Sequence, residues 1–149
     1  KLQVYAMGTS QGAFAVLRAA AQDENIERVL AENAYISVER VLLEIHVLEW
    51  LPTAIRKMAI RFLDLWLPEP VHNLDVARFA QGLIGKPVLL IHGTEDATVS
   101  VEHSKDILKQ ITDTPRHSLW IVLKGQHELL WNLNPTAYEA RVLGFFGED

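Results

Sequence analysis

Pro87-Val88-Leu89-Leu90-Ile91-His92 is almost unbroken in apolar residues and ends at Gly93. A strand with one wet face alternates apolar and polar residues, so a continuous run belongs in a sheet covered on both faces. Three further runs read as strands: Leu2 to Met7 stopped by Gly8, Arg28 to Ala34, and Ser118 to Leu123 just before Gly125. The segments between them have a helical period. Ala13 to Ala21 places apolar residues at 13, 14, 17 and 21, Ser100 stands as the N-cap of a helix from Val101 to about Ile111, and Asn134-Pro135 opens a last helix to about Phe146. No two-residue hairpin signal joins any two strands. The order predicts βα units and a parallel sheet, an α/β fold.

The 149 residues amount to one domain or part of one, and 49% hydrophobic against 22% charged residues supports a sizeable core. Between the second and third strands, residues 35–81 form an insertion within that domain. Val38, Val41, Leu42, Ile45, Leu48 and Leu51 recur at helical spacing before Pro52. Ile55, Met58, Ala59, Phe62, Leu63 and Trp66 continue the spacing up to Pro68 and Pro70. Such a helix pair either covers a face of the sheet or forms a lid whose apolar underside faces a substrate cleft. Trp50, Trp66, Trp120 and Trp131 read as core or cleft-wall aromatics.

Where the first strand meets the first helix stands Gly8-Thr9-Ser10-Gln11-Gly12, a G-x-S-x-G in the strand-turn-helix context of a nucleophile elbow. A serine on so sharp a turn leaves little room for neighbouring side chains, and glycines two residues before and after let strand and helix approach. With 8 glycines and five serines in the chain, composition alone produces the pattern about 0.01 times. The plainer alternative is a glycine-rich turn, at most a weak phosphate cradle. The amide of Gln11, at the positive end of the helix, points where an acyl oxyanion would develop.

A serine hydroxyl needs a base, and the base needs an orienting partner. Asp96 follows the third strand in Ile91-His92-Gly93-Thr94-Glu95-Asp96-Ala97-Thr98-Val99. His127 follows the fourth in Leu123-Lys124-Gly125-Gln126-His127-Glu128. Both lie at carboxyl ends of strands, where parallel sheets carry their functional loops. Asp96 alone could be a turn or capping residue, with Glu95 as its neighbouring rival, and a lone loop histidine is commonly a surface residue. The chain order Ser, Asp, His sets these two apart.

On Gly8-Thr9-Ser10-Gln11-Gly12, the strand Pro87 to Gly93 leading to Asp96, and Gly125-Gln126-His127, the chain resembles the C-terminal half of the α/β-hydrolase superfamily. Within it, the Pro-Val-Leu-Leu-Ile-His-Gly strand and the helical insertion look like the prolyl-oligopeptidase-like and Bem46-like serine hydrolases. The resemblance implies Ser10 as nucleophile, His127 as general base and then acid, Asp96 as the group that orients His127, and the Gln11 amide as one oxyanion-hole donor. It implies a carboxylesterase-like serine hydrolase that cleaves an ester or related acyl compound through an acyl-enzyme, or a peptidase with the same triad. Ser100 departs from the proline such families often carry, harmlessly, since serine caps the next helix. The fold's first strands and second oxyanion donor would precede Lys1. We therefore expect upstream sequence or another chain to complete the domain, and without it the first strand to expose an unpaired apolar edge.

Other classes are disfavoured. The formal net charge of −5 leaves no basic footprint for nucleic acid. The longest stretch free of Asp, Glu, Lys and Arg, Leu2 to Leu17, falls short of the about 20 residues of a membrane span. No signal peptide is visible, which leaves the compartment open with the cytoplasm as default. The absence of cysteine removes disulfides, thiolate metal sites and a Cys nucleophile. His92, Glu95 and His103 match no metal-ligand spacing, so neither metal nor cofactor is expected. The expected partner is a small ester or acyl substrate. A hydrolase-like module that binds without turnover is the contrasting reading, and an intact Ser10, Asp96 and His127 weigh against it.

Overall fold

The apolar runs become four strands, β1 (Val4–Thr9), β2 (Ile26–Glu32), β3 (Val88–Gly93) and β4 (His117–Val122), in one sheet of order β1-β2-β3-β4. Every adjacent pair is parallel. This computed structural model describes residues 3–44, 50–111 and 116–147. Leu2, Ile45 and Leu48, included in the readings above, lie outside the described residues. Among the described residues six α-helices accompany the sheet: α1 (Gln11–Gln22), α2 (Val38–Glu44), α3 (Thr53–Leu63), α4 (Val101–Ile111), α5 (Leu130–Leu133) and α6 (Pro135–Gly147).

β3 is buried from end to end, as its continuous apolar run requires. Its alternate side chains serve two cores. Val88 and Leu90, with Val29 and Ala31 of β2, pack against Ala13, Phe14 and Leu17 of α1 and Ile107 and Ile111 of α4. Leu89 and Ile91, with Leu30, meet Leu130 and Tyr138 of α5 and α6 on the opposite face. Truncating any of these leucines to alanine would cost about 2–5 kcal/mol, because close-packed neighbours collapse only partly into the space left.

Local chemistry ends the elements where the patterns predict. Ser100 Oγ accepts the Glu102 N–H at 3.4 Å, and the Ser100 carbonyl accepts the His103 N–H at 3.0 Å, so the α4 cap forms. At the other end of α1, Lys86 Nζ donates to the carbonyls of Ala20, Asp23 and Ile26 at 2.6, 2.7 and 3.0 Å. A cation there satisfies carbonyls that the helix cannot and complements the negative end of its dipole.

Of the two readings of the helix pair between β2 and β3, covering a face of the sheet is not what α2 and α3 do. α2 has no fully buried residue and α3 has only Ile60. The sheet is covered instead by three 3-10 turns (71–73, 76–78 and 80–83), which place Val76, Ala80 and Leu83 in the core beside α1. Pro68 and Pro70 stop the helical period, and the short turns that follow can lie against the sheet. Trp50 and Trp66 are consequently not core aromatics, at 78% and 79% exposed, and Trp131 is half exposed. Only Trp120 packs inside, 6.2 Å from the Tyr138 ring.

The segment has a closed neck. Val38 N–H bonds the Leu74 carbonyl at 3.0 Å, Val76 N–H bonds the Ile36 carbonyl at 2.8 Å, and Ser37 and Asp75 form an antiparallel bridge between them. Arg40 reaches Glu44 at 2.8 Å and Asp106 of α4 at 2.7 Å, and His103 Nε2 lies 2.8 Å from Glu44. At the sheet's other limit, β1 has no strand on its outer side among the described residues, and Val4, Tyr5 and Met7 are exposed.

Candidate active site

Ser10 occupies the turn between β1 and α1 with φ 55° and ψ −117°, in the region that side chains avoid. Its N–H donates to the Glu32 carbonyl at 2.9 Å and its carbonyl accepts the Phe14 N–H at 3.2 Å, so both neighbouring elements hold the strained residue in place. Gly8 is sterically required: a Cβ there would sit 2.4 Å from the Gly12 carbonyl. Gly12 is different from the expectation, because a Cβ on it would meet nothing within 4 Å. The close approach is made by the Gly12 backbone, not by its missing side chain.

The acid and histidine loops also meet through glycine. A Cβ on Gly93 would fall 2.2 Å from the Gly125 oxygen. That contact lets the Glu95 N–H reach the Gly125 carbonyl at 2.8 Å, and the Thr94 hydroxyl accept the Lys124 N–H at 2.9 Å. Asn33, fully buried just past β2 with φ 47°, adds a third tie. Its Oδ1 accepts the Gly93 N–H at 3.1 Å and its Nδ2 donates to the Gln126 carbonyl at 3.5 Å.

These loops bring Ser10, His127 and Asp96 together. His127 Nε2 lies 2.9 Å from Ser10 Oγ, and His127 Nδ1 lies 2.7 Å from Asp96 Oδ2. A carboxylate only accepts, so Nδ1 carries the proton and Nε2 is left to accept the serine hydroxyl proton. The Asp96 side chain is fully buried and His127 is 17% exposed, open enough to meet a substrate. Burial alone would push Asp96 up. Hydrogen bonds from His92, the Val99 amide, His127 and the Thr98 amide outweigh it and bring the carboxyl down to about 2. Thr98 and Val99 both donate to Oδ1 at 2.8 Å, which turns Oδ2 toward His127. Glu95, the rival acid, is exposed.

Gln11 is the first residue of α1, so its N–H has no intrahelical acceptor and sits beside Ser10. From it a groove of about 470 Å³ runs along α1, lined on its apolar side by Phe14, Ala15, Tyr35, Val38 and Leu74. Phe14 and Tyr35 stack there at 5.1 Å.

Four residues of the surroundings escape sequence reading. Asn33, His92 and Glu32 are buried polar groups at the carboxyl ends of strands β2 and β3, and a polar residue closing an apolar run at that end is the one signal that could have marked them. The fourth, Tyr138, donates its hydroxyl to Glu32 from α6. Burial pushes the Glu32 carboxyl up, with the Tyr138 hydrogen bond opposing; burial and Glu32 both push the Tyr138 hydroxyl up. His92 and His103, weighed above as metal ligands, have other partners: Ser104 and Val99 for the first, Ile36 and Glu44 for the second.

The sequence profile of the prolyl oligopeptidase family matches residues 1–148. None of the curated proteins matches the chain. Among solved structures, the Pyrococcus furiosus esterase Pf2001 superposes with a TM-score of 0.72 at 20% identity, covering 97% of this chain and 53% of its own. The Pyrococcus horikoshii acylaminoacyl peptidase gives a TM-score of 0.72 at 19% identity, over 98% of this chain and 24% of its own. A Mycobacterium tuberculosis puromycin-hydrolyzing peptidase gives 0.72 at 16% identity, over 96% and 21%. The shared architecture is the α/β-hydrolase fold, and this chain spans about half the length of the esterase and about a quarter or less of the two peptidases.

Proposed function

The chain belongs to the prolyl oligopeptidase family, and on that premise we propose that it is a serine hydrolase that cleaves a carboxylic ester or related acyl substrate through an acyl-enzyme. The observation that carries the reading is the continuous hydrogen-bonded line Ser10 Oγ, His127, Asp96 at 2.9 and 2.7 Å. His127 Nε2 takes the Ser10 proton as Oγ attacks the substrate carbonyl. The resulting oxyanion is met by the Gln11 N–H and the positive end of α1. His127 then returns the proton to the departing alcohol, leaving an acyl group on Ser10. A water deprotonated by the same nitrogen attacks that ester, and the acid leaves as Oγ regains its proton. Asp96 stays ionised throughout, holding the ring and stabilising its cationic form.

The apolar groove starting at Gln11 favours a hydrophobic acyl or alcohol part. On this reading the part of the segment beyond its closed neck, carrying α2 and α3, acts as a lid. The free edge of β1 is where further sequence or a second chain would complete the sheet. Amide cleavage is the second reading, favoured by the family's peptidase members, and the same three residues would perform it.

The test is intact mass spectrometry after exposure of the native polypeptide carrying this sequence to a fluorophosphonate, followed by turnover of matched p-nitrophenyl ester and p-nitroanilide substrates. A single adduct, abolished by heat denaturation and by Ser10→Ala, is expected, with the ester cleaved faster. A folded protein that takes no adduct would overturn the hydrolase reading in favour of binding without turnover. Faster anilide cleavage would move the assignment to a peptidase.

A further inference from the structure

Asp96 Oδ2, the oxygen that receives His127, has a second imidazole beside it. His92, the residue of β3 just before Gly93, is fully buried. Its Nε2 lies 2.9 Å from the Val99 carbonyl and 3.5 Å from Asp96 Oδ2, and its Nδ1 lies 2.7 Å from Ser104 Oγ. Val99 can only accept through its carbonyl, so Nε2 carries the proton. Nδ1 is thereby free to accept from the Ser104 hydroxyl, which fixes both the tautomer and the ring.

A histidine at this place is not what the sheet calls for. Every other side chain of β3 is aliphatic, and a leucine would fill the space without two polar atoms to satisfy. All the contacts that satisfy His92 lie on the acid loop and on α4, which begins right after that loop. The same Val99 that receives Nε2–H gives its own N–H to Asp96 Oδ1 at 2.8 Å. The ring therefore closes the turn 96–99 from within, with its Nε2 edge 3.5 Å from Oδ2.

We infer that His92 is a positioning residue for the reaction: through Val99 and Asp96 it holds the carboxylate in the rotation that orients His127, with Ser104 fixing the ring that does so. The inference rests on the hydrolase reading above. Without the Nε2–H, the Val99 carbonyl loses its imidazole donor, and the turn that aims the Thr98 and Val99 amides at Asp96 Oδ1 loses its inner brace. A misplaced supporting group of this kind costs a reaction about 10–100-fold while leaving substrate binding alone.

The experiment uses the native polypeptide carrying His92→Phe, which keeps a ring of similar bulk but no donor, and His92→Gln, which keeps a donor. Three readouts are taken: kcat and KM for a p-nitrophenyl ester, the rate of fluorophosphonate labelling, and the far-downfield proton resonance of the His127 Nδ1–H. For His92→Phe the expected result is a fall of about 10–100-fold in kcat and labelling, KM within about twofold, and a lost or displaced resonance. His92→Gln recovers most of the rate and the resonance. Should His92→Phe fail to fold, Ser104→Ala leaves the histidine in place with its ring unfixed, and a smaller fall in kcat at constant KM is expected.

Wild-type labelling together with an unchanged rate and resonance in folded His92→Phe, or in Ser104→Ala where only that variant folds, overturns this inference alone. Equal losses in the Phe and Gln variants that follow their unfolding temperatures, with the resonance intact, reduce His92 to a packing role and overturn it too. A wild-type protein that shows neither labelling nor the resonance refutes the triad reading, and this inference with it.

Discussion

Replacing Gly93 by alanine adds a single methyl group at the point where the acid and histidine loops touch. That Cβ would lie 2.2 Å from the Gly125 oxygen and 2.4 Å from its carbonyl carbon, about 1 Å short of the 3.4 Å at which ordinary contact begins. The obstacle is backbone, so no rotamer change relieves it, and the loops must part by roughly that distance. Asp96 is three residues beyond Gly93 and His127 two beyond Gly125, so both ride on the displaced segments. Moving one against the other by about 1 Å stretches their 2.7 Å hydrogen bond past the range in which it is one. Misplacement on that scale costs about 100-fold in rate, or about 2.7 kcal/mol of transition-state stabilisation. Overpacking costs a further about 1–3 kcal/mol of stability, which lowers the unfolding temperature without touching the chemistry directly. The rate of Ser10 labelling by a fluorophosphonate, measured where circular dichroism shows the variant folded, separates the two. Folded Gly93→Ala labelling at the wild-type rate would refute the argument that this glycine contact sets the geometry of the site.

Gly144, inside α6, offers the opposite case: a Cβ there meets nothing within 4 Å, so Gly144→Ala should raise stability by about 0.5–1 kcal/mol in chemical denaturation and leave labelling unchanged. Ser10→Gly and Ser10→Ala both abolish labelling, but at φ 55° glycine carries no Cβ strain, so the glycine variant should be the more stable by about 1–2 kcal/mol; equal midpoints would count against a strained elbow. Asp96 is held at about 2, below its unfolded value, so its contribution is complete above about pH 5 and is lost as the pH falls through the folded value. Denaturant titrations from pH 6 to pH 2 should show wild type losing about 2 kcal/mol more than Asp96→Asn, and parallel curves would contradict the burial of an ionised carboxylate.

Much of this was legible before any coordinates. The unbroken run from Val88 to Ile91 demanded a strand with both faces covered, and β3 is buried throughout. The G-x-S-x-G placed Ser10 on a turn between strand and helix, where Gly8 leaves room for the Gly12 backbone. Both signals are local: a periodicity of 2 or 3.6 and a tight turn are consequences of neighbouring residues on the chain. The exposed apolar face of α3 was illegible for the complementary reason. Met58 and Phe62 keep helical spacing whether or not anything lies opposite them, and periodicity names no partner.

By itself, then, the sequence determined the four strands, the helices after the first, third and fourth of them, and the residues with the chemistry for a nucleophile, a base and two rival orienting acids. Only the tertiary structure decided that Asp96 rather than Glu95 faces His127, that Asn33 and His92 brace the loops, and that the Gly125 oxygen leaves no room for a side chain at Gly93. Those outcomes depend on pairs up to 117 positions apart, Ser10 with His127 being the widest. Contacts across that distance arise only when strand register and helix packing have brought the ends of four parallel strands to one rim.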